Sequence, residues 1–240
     1  MFAALTEELI LGPFEHPEYE TTLVVKPLVD TGKAGRFASQ AVVVTTAARR
    51  IIELSKAGDK VKSIVVEADG GVDPMQHPEF RAISENLREL VDKWFPKSKL
   101  ILHTPGLHLG NAEGRHSLTA YHRPVIHFDA GTQKTFAALT GMDPQLYKDV
   151  CDGLEKIEME RWVLRATFVK GEADNSTDAE LRFWLTKVAS FGRPGTIQVT
   201  TLAKADTERK LKPVPKTRMA SIAEKITAKL EREIELIEQA

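Results

Sequence analysis

Short apolar runs alternate with longer amphipathic stretches along most of this chain. Six runs are rich in Val, Ile, Leu and Thr and are bounded by Gly, Pro or charged residues, which is typical of buried β-strands. They cover residues 22–28, 61–67, 99–103, 124–129, 162–169 and 196–201. Because each run leads into a helical stretch, the pattern favours right-handed β–α–β crossovers and a parallel sheet. The pattern alone leaves undecided whether that sheet is open or rolled into an incomplete barrel.

Between the strands, apolar residues recur every three or four positions, which is the spacing of one helix face. This spacing predicts helices at 40–56, 78–95, 111–121, 132–139, 144–157 and 178–191. Ser176 and Thr177 are both placed to cap the last of these helices.

The final stretch, residues 217–240, is predicted to form one long amphipathic helix. Its apolar stripe consists of Met219, Ile222, Ile226, Leu230, Ile234 and Ile237. Such a stripe suits packing on the rest of the chain. It is also narrow enough for a coiled-coil seam, so a homodimer through this helix is the alternative.

Composition narrows the classes of protein. The 240 residues carry a net charge of −1, so no overall basic field recruits nucleic acid or an anionic membrane. No apolar run reaches the ~18–20 residues of a membrane span, and the first twenty residues carry early glutamates rather than the basic start of a signal peptide. The single cysteine, Cys151, excludes an intramolecular disulfide and an all-cysteine metal site. A cytoplasmic location is expected.

Five segments, taken in order, resemble the radical S-adenosylmethionine (radical SAM) superfamily, especially its iron–sulfur oxidoreductases. They read GPFEHPEYETTLVVKPL, DPMQHPEF, DAGTQKTFAAL, TFVKGEADNSTDAEL and KLKPVPKTRM. Each is weakly specific alone, but their shared order from Gly12 to Met219 is much more specific. The resemblance implies an α/β fold, a partial (βα)6 TIM-like barrel of parallel strands. We expect it as a single domain over residues 1–240, with the long helix at its end.

The residues that carry this family's chemistry are missing. Radical SAM enzymes hold a four-iron cluster with three cysteines of a CxxxCxxC motif, because soft anionic thiolates stabilise iron–sulfur clusters. When the resemblance is aligned on Phe37, the cysteine positions fall on Gly35, Ser39 and Val42. The resemblance therefore implies a degenerate member that holds no iron–sulfur cluster and does not cleave S-adenosylmethionine reductively.

A second family signature, GxGEPT after the second strand, has also changed. The matching residues read GGVDPM, so Gly70 and Asp73 occupy equivalent positions, while Val72 replaces a glycine and Met75 a threonine. A valine side chain would crowd a backbone turn that relies on glycine. This change argues against S-adenosylmethionine binding, and no cofactor is expected.

Functional groups of parallel α/β folds gather at the C-terminal ends of the strands. The polar residues predicted there are Lys26, Glu67, Asp69, Asp73, His103, His108, His127, Asp129, Lys170, Thr200 and Thr201, and Gly70 is a further candidate for lining the pocket. Imidazoles and carboxylates suit zinc or manganese, and a bound divalent metal could activate water. Their spacing matches no metal motif, however, and scattered histidines are equally typical of a hydrogen-bonded surface.

Two of the candidates have specific alternatives. Asp129 ends the fourth strand, and it either caps the next helix or faces the cavity, as the family resemblance implies. Arg165 lies inside the fifth strand, where it either anchors a carboxylate or phosphate inside the barrel or is tucked beneath the helices.

Three functions remain open. The first is a radical SAM-like barrel without cluster ligands, non-catalytic and retained for binding or assembly. The alternative is a barrel enzyme that uses a His/Asp/Glu site, with or without a divalent metal, at the ends of the strands. The third is a regulatory protein that binds another protein through the barrel mouth or the C-terminal helix.

Overall fold

A computed structural model of the protein describes residues 8–29, 37–69 and 72–237. The chain divides into two compact units, Met1–Pro124 and Val125–Ala240. That residues 1–240 behave as a single domain stays a prediction. Among the described residues, no helix is both long and apolar enough to cross a membrane.

The first unit is built on four strands. They are β1 (Ile10–His16), β2 (Glu20–Val25), β3 (Ser63–Val66) and β4 (Lys99–Thr104). β1 pairs with β2 antiparallel, whereas β2, β3 and β4 are parallel neighbours. The helices of this unit are α1 (Gln40–Ala57), α2 (Phe80–Trp94) and α3 (Ala112–Ser117), with short 3-10 turns at Pro74–Gln76 and Leu118–Ala120.

The parallel strands of this unit are short, and each carries a run of three apolar residues because both faces of the sheet are covered there. Leu23, Ile64 and Leu100 lie side by side in register, and none of them is exposed. Near-continuous apolar runs are the expected pattern for parallel strands buried on both faces.

The second unit has five strands. They are β5 (Arg123–His127), which begins just before it, β6 (Val163–Gly171), β7 (Thr196–Thr201), β8 (Leu211–Pro213) and β9 (Glu235–Leu236). β5, β6, β7 and β9 pair in parallel in that order, and β8 pairs antiparallel with the end of β6. The helices are α4 (Gln133–Thr140), α5 (Leu146–Glu155), α6 (Asp178–Val188) and α7 (Lys216–Leu230).

A close approach at Gly131 fixes α6 against the loop that follows β5. A Cβ atom at Gly131 would lie 2.4 Å from the carbonyl oxygen of Glu180 and 2.6 Å from the amide nitrogen of Trp184. The Trp184 indole donates to the carbonyl of Phe128 at 2.8 Å and so ties α6 to the residue after β5. Only glycine leaves room for this contact.

The sequence-based fold prediction is confirmed in its main features. The six predicted strands are β2–β7; β2–β6 are each followed by a helix, and β7 is followed by β8 and then α7. Thr177 caps α6, because its hydroxyl accepts from the amide of Glu180 at 3.2 Å. Strands β1, β8 and β9 were not predicted.

The predicted C-terminal helix over residues 217–240 is too long. α7 ends at Leu230, and Glu231 then takes the left-handed conformation with φ 52°. The chain returns to the sheet as β9, with Glu235 and Leu236 opposite Gln198 and Val199. Strand β7 offers hydrogen-bond partners there, whereas acidic residues in the last turn of a helix oppose the helix dipole.

Candidate functional site

Three charged candidates lie just after β2 and β3. Val25 and Val66 are register partners, so the residues that follow them, Lys26 and Glu67, continue on neighbouring strands. The Lys26 ammonium donates to Asp69 Oδ1 at 2.6 Å. Only 16% of the Lys26 side chain is exposed, against 81% for Asp69. The predicted convergence of polar groups at these strand ends is therefore observed for Lys26 and Asp69.

Glu67 interacts electrostatically with both of these charges. Partial burial raises the pKa of its carboxyl; the nearby Lys26 ammonium opposes this rise and the Asp69 carboxylate adds to it. A carboxyl group with a raised pKa holds its proton more readily and can donate a hydrogen bond as well as accept one.

A cleft of about 610 Å³ opens beside this ion pair. It is lined by Glu8, Leu11, Lys26, Leu28, Val29, Phe37, Ala68, Asp69 and Val72. Phe37 and Val72 keep 39% and 40% of their surface exposed, and both line the same cleft. Mostly apolar walls with a few placed charges are typical of small-molecule sites.

Asp73 does not face a cavity. Its side chain is fully buried, and its Oδ1 accepts from the amide of Met75 at 3.0 Å and from the hydroxyl of Thr104 at 2.8 Å. Oδ2 lies 3.3 Å from Nδ1 of His108. Asp73 thus caps the 3-10 turn and braces it against the end of β4, and no part of the carboxylate is exposed to a ligand.

His103 lies near the end of β4, as Thr104 does, but its contact is with Tyr19 rather than with Asp73. Its Nε2 is 2.8 Å from the hydroxyl of Tyr19. Over residues 8–29, 37–69 and 72–237, no three His, Cys, Asp or Glu side chains are grouped so that they could hold a metal ion.

In the second unit, one face of the sheet carries a row of polar residues. Phe168 packs edge-to-face on Trp184 of α6, with 5.8 Å between the ring centroids. Successive side chains of a strand point to opposite faces, so Arg165, three residues before Phe168, projects from the face opposite α6. Arg165 is therefore not tucked beneath α6. It is 8% exposed.

The row follows the strand register across four strands. His127 is opposite Arg165, Arg165 is opposite Gln198, and Gln198 is opposite Glu235. The guanidinium donates from Nε to Gln198 Oε1 at 2.9 Å. The amide nitrogen of Gln198 in turn donates to Glu235 Oε2 at 2.7 Å. We call His127, Arg165, Gln198 and Glu235 the polar row.

His127 in the row and Asp129 near it both have displaced pKa values. Burial, with a contribution from the Arg165 charge, lowers the pKa of His127 to about 4. Burial also raises the pKa of Asp129 to about 6, although the amide of Thr167, which donates to its Oδ1 at 2.7 Å, and the charge of Arg209 oppose the rise. His127 is thus neutral near pH 7. Asp129 does not cap α4, because the cap is Thr132.

The positions aligned with the cluster cysteines carry no thiolate. Ser39 is the exposed residue before α1 and makes no capping bond with its side chain, and Val42 is a half-buried residue in the first turn of α1. Gly35 and Gly70 lie outside the described residues. Cys151 is buried in α5, where burial raises the pKa of its thiol to about 11. These residues do not fit a four-iron cluster, which needs deprotonated thiolates.

Some residues of both sites escaped sequence reasoning. Leu28 and Val29 line the cleft, and the signal that could have revealed them is an apolar pair that continues past the end of a strand. Gln198 was missed as well, although a glutamine in the middle of an otherwise apolar or hydroxyl-bearing strand is an unusual choice. Glu235 carried no such signal, because it was assigned to a helix.

Comparisons with known proteins identify the fold. No protein-family model and no curated protein matches the chain. Among solved structures, TYW1 with a lysine-pyruvate adduct bound is similar over 93% of this chain and 76% of that one, with a TM-score of 0.60 and 10% identity. A radical SAM methyltransferase from Sphaerobacter thermophilus is similar over 93% of this chain and 67% of that one, with a TM-score of 0.58 and 11% identity. The chain therefore shares the α/β fold of these structures, in which mostly parallel strands alternate with helices.

Proposed function

We propose that this protein is a radical SAM-like barrel without an iron–sulfur cluster that binds a small molecule in the cleft after β2 and β3, and does no radical chemistry. The fold and the single cysteine support the first part. The cleft supports the second part and is the observation that carries the proposal.

The chemistry of the lining suggests the class of ligand. Phe37 and Val72 offer exposed apolar surface, and burying it against a ligand is favourable by ~25 cal/mol per Å². Lys26 and Asp69 offer one cation and one anion 2.6 Å apart. A ligand with an apolar body and a charged end, whether a carboxylate or an amine, would satisfy both features.

Binding of defined probes tests this proposal. Phenylalanine, methionine and S-adenosylmethionine would each be titrated into the protein, with chemical-shift changes as the readout. We expect at least one probe to perturb residues of the cleft. Val72→Trp should fill the cleft and weaken that binding at least tenfold, whereas Phe183→Trp, at an apolar residue on α6 that is 54% exposed, should leave it unchanged. No shift with any probe, or equal loss in both variants, contradicts the proposal.

The absence of a cluster has its own test. The protein would be reconstituted anaerobically with iron and sulfide and assayed for iron. We expect substoichiometric iron and no stable thiolate-to-iron absorption band. A stable band with stoichiometric iron would show that other residues hold a cluster.

A second candidate function rests on Asp129, which lies near the polar row. Asp129, with a pKa of about 6, titrates near neutral pH, which suits a general acid or base. An enzyme of this kind, with a divalent metal as one alternative, is tested by elemental analysis and by melting temperature across a panel of divalent ions. A metal that binds the native state must raise the melting temperature. Stoichiometric zinc or manganese that His127→Gln loses would favour this candidate over the first.

We further propose that the protein is cytoplasmic and that it self-associates through its C-terminal segment. The lone buried Cys151 suits a reducing compartment, since the chain uses no disulfide. In α7 the stripe residues Met219, Ile222 and Ile226 are already buried within the chain. Contacts to a second copy therefore fall to the exposed residues after Leu230, of which Leu236 is 44% exposed.

A further inference from the structure

The end of the chain carries two conflicting structural preferences. Apolar residues keep the spacing of one helix face from Met219 to Ile237. The structure follows that spacing only to Leu230, after which residues Glu235–Leu236 form a strand. When a local preference disagrees with the conformation adopted, the free-energy gap between the two conformations is reduced.

Glu231 is the hinge between these two preferences. It has φ 52° and ψ 41°, the left-handed conformation, which is unfavourable for a side chain other than glycine. Rotation of this residue into the right-handed region would let α7 continue and would remove the strain. The strand β9 therefore exists only while its contacts outweigh the cost at Glu231.

Those contacts are mostly polar, and they begin with the Arg232 guanidinium, which donates to the carbonyl of Pro194 just before β7. The Gln198 amide donates to the Glu235 carboxylate at 2.7 Å, the Thr200 hydroxyl donates to the carbonyl of Ile237 at 3.0 Å, and the amide of Ile237 donates to the carbonyl of Val199 at 2.9 Å. Leu236 remains 44% exposed and Ile234 and Ile237 are only half-buried, so the segment buries its apolar residues less completely than α7 does. Elements with few buried apolar contacts open at the low end of local stability.

We propose that residues 231–237 form a two-state segment: closed, they pair with β7 as β9; open, they leave β7 and continue helix α7. The segment is a reversible cover. Gln198 and Thr200 are 1% and 2% exposed in the closed state, and opening exposes them along the edge of β7. The uncovered edge presents the donors that now hold the Glu235 carboxylate and the Ile237 carbonyl.

The acidic residues of the segment help to hold it closed. Glu231, Glu233 and Glu235 would lie in the last turns of an extended α7, where negative charge opposes the helix dipole. In the closed state Glu235 instead accepts from Gln198. Neutralising or reversing the charge at position 235 thus favours the open state in two ways.

Hydrogen exchange on the full chain, read by mass spectrometry of peptides over 231–240 and 196–201, tests the switch. Glu231→Gly removes the strain at the hinge and should slow exchange of the C-terminal peptide about tenfold. Glu235→Lys removes the carboxylate contact and should speed it at least tenfold, with a gain in far-ultraviolet helical signal. Glu233→Lys, the control, makes the same charge change but leaves the Gln198–Glu235 bond in place, so it reports the helix-dipole contribution alone and should alter the rate less than threefold.

Two results would overturn the proposal. One is an equal increase in the exchange rate of the C-terminal peptide in Glu233→Lys and Glu235→Lys, because the increase would then come from net charge and not from loss of the Gln198 contact. The other is a parallel change of exchange in the peptides of β6, because opening would then be unfolding of the whole unit rather than release of the cover.

Discussion

Arg165 and Gln198 lie opposite each other on neighbouring parallel strands, and the guanidinium donates to a single amide oxygen from both Nε and Nη2. The two residues are 8% and 1% exposed. A charge at such a position is stable only when protein groups replace the water it has lost. The pair therefore fixes the centre of the polar row.

Removing one partner of this pair should destabilise the fold more than removing both. Arg165→Met leaves the buried oxygen of Gln198 without these two donors, so we expect the free energy of unfolding to fall by ~1–3 kcal/mol. Arg165→Met combined with Gln198→Leu should recover part of that loss, because buried polar pairs replaced by apolar groups are often tolerated. Urea unfolding measures the two single variants, Arg165→Met and Gln198→Leu, and the double variant. Strict additivity of the two single substitutions would show that the pair is not coupled.

The pH dependence of stability should separate His127 from Asp129. The pKa of His127 is lowered from 6.5 to about 4 in the folded chain. Between these two pH values the unfolded chain binds a proton at His127 and the folded chain does not, so the free energy of unfolding falls as pH falls. Asp129 has its pKa raised from 3.8 to about 6, so the folded chain binds the extra proton, and stability rises as pH falls. In the wild type the two contributions oppose each other.

Substitutions should expose the two contributions. From pH 6.5 to 4.5, Asp129→Asn should lose ~1–3 kcal/mol more stability than the wild type, and His127→Gln should lose less than the wild type. Chemical denaturation at a series of pH values gives the curves. Parallel curves for all three proteins would mean that neither group has a displaced pKa.

The carboxyl of Glu67 should respond in opposite directions to its two charged neighbours. Lys26→Met removes the opposing cation and should raise the pKa of Glu67 further, whereas Asp69→Asn removes a like charge and should lower it. Carboxyl carbon chemical shifts followed through a pH titration report both values. Both variants should retain nearly full stability, since an ion pair with one exposed partner contributes only ~0–1 kcal/mol. Shifts of the same sign in both variants would contradict the assigned electrostatics.

Asp73 should prove structural. Asp73→Ala leaves the Met75 amide and the Thr104 hydroxyl without the oxygen they share, and we expect a loss of ~2–4 kcal/mol in unfolding free energy. Asp73→Asn keeps one acceptor oxygen and should lose less. Thermal and urea unfolding measure the difference. A stable Asp73→Ala protein with normal cleft geometry would refute the bracing role.

Truncation should distinguish the two parts of the C-terminal segment. Ending the chain after Lys216 removes Met219, Ile222 and Ile226, which are buried, and should expose the core and lower solubility. Ending it after Arg232 removes β9 and should affect mainly self-association. Light scattering on full-length and Arg232-truncated protein is the measurement. If both are monomeric at high concentration, the homodimer does not form through this segment.

The sequence predicts strands β2–β7 because their own residues dictate them. Runs such as TLVV and SIVV favour strands wherever they are buried. β9 could not be found in this way, because the stripe through Ile234 and Ile237 has helical spacing and the strand forms only through partners on β7. Here tertiary hydrogen bonding overrides local preference.

The candidate residues divide in a similar way. Lys26 and Asp69 meet because chain order places them at adjacent strand ends, which a sequence reveals. Asp73 was predicted at the same end, but its burial depends on Thr104 and His108 of a different strand and loop. Contacts of that kind depend on side-chain direction, which the strand pattern does not specify.

The sequence and pairing of strand β1 bear on how readily copies of this protein aggregate at high concentration. Pro13 lacks an amide hydrogen, and the pairing of β1 with β2 is interrupted between Leu11 and Phe14 by a bulge. A strand at the border of a sheet with a proline and a bulge is a poor template for another strand, so copies of the protein are discouraged from joining edge to edge. Phe14, 41% exposed on this strand, can then remain at the surface without seeding aggregates.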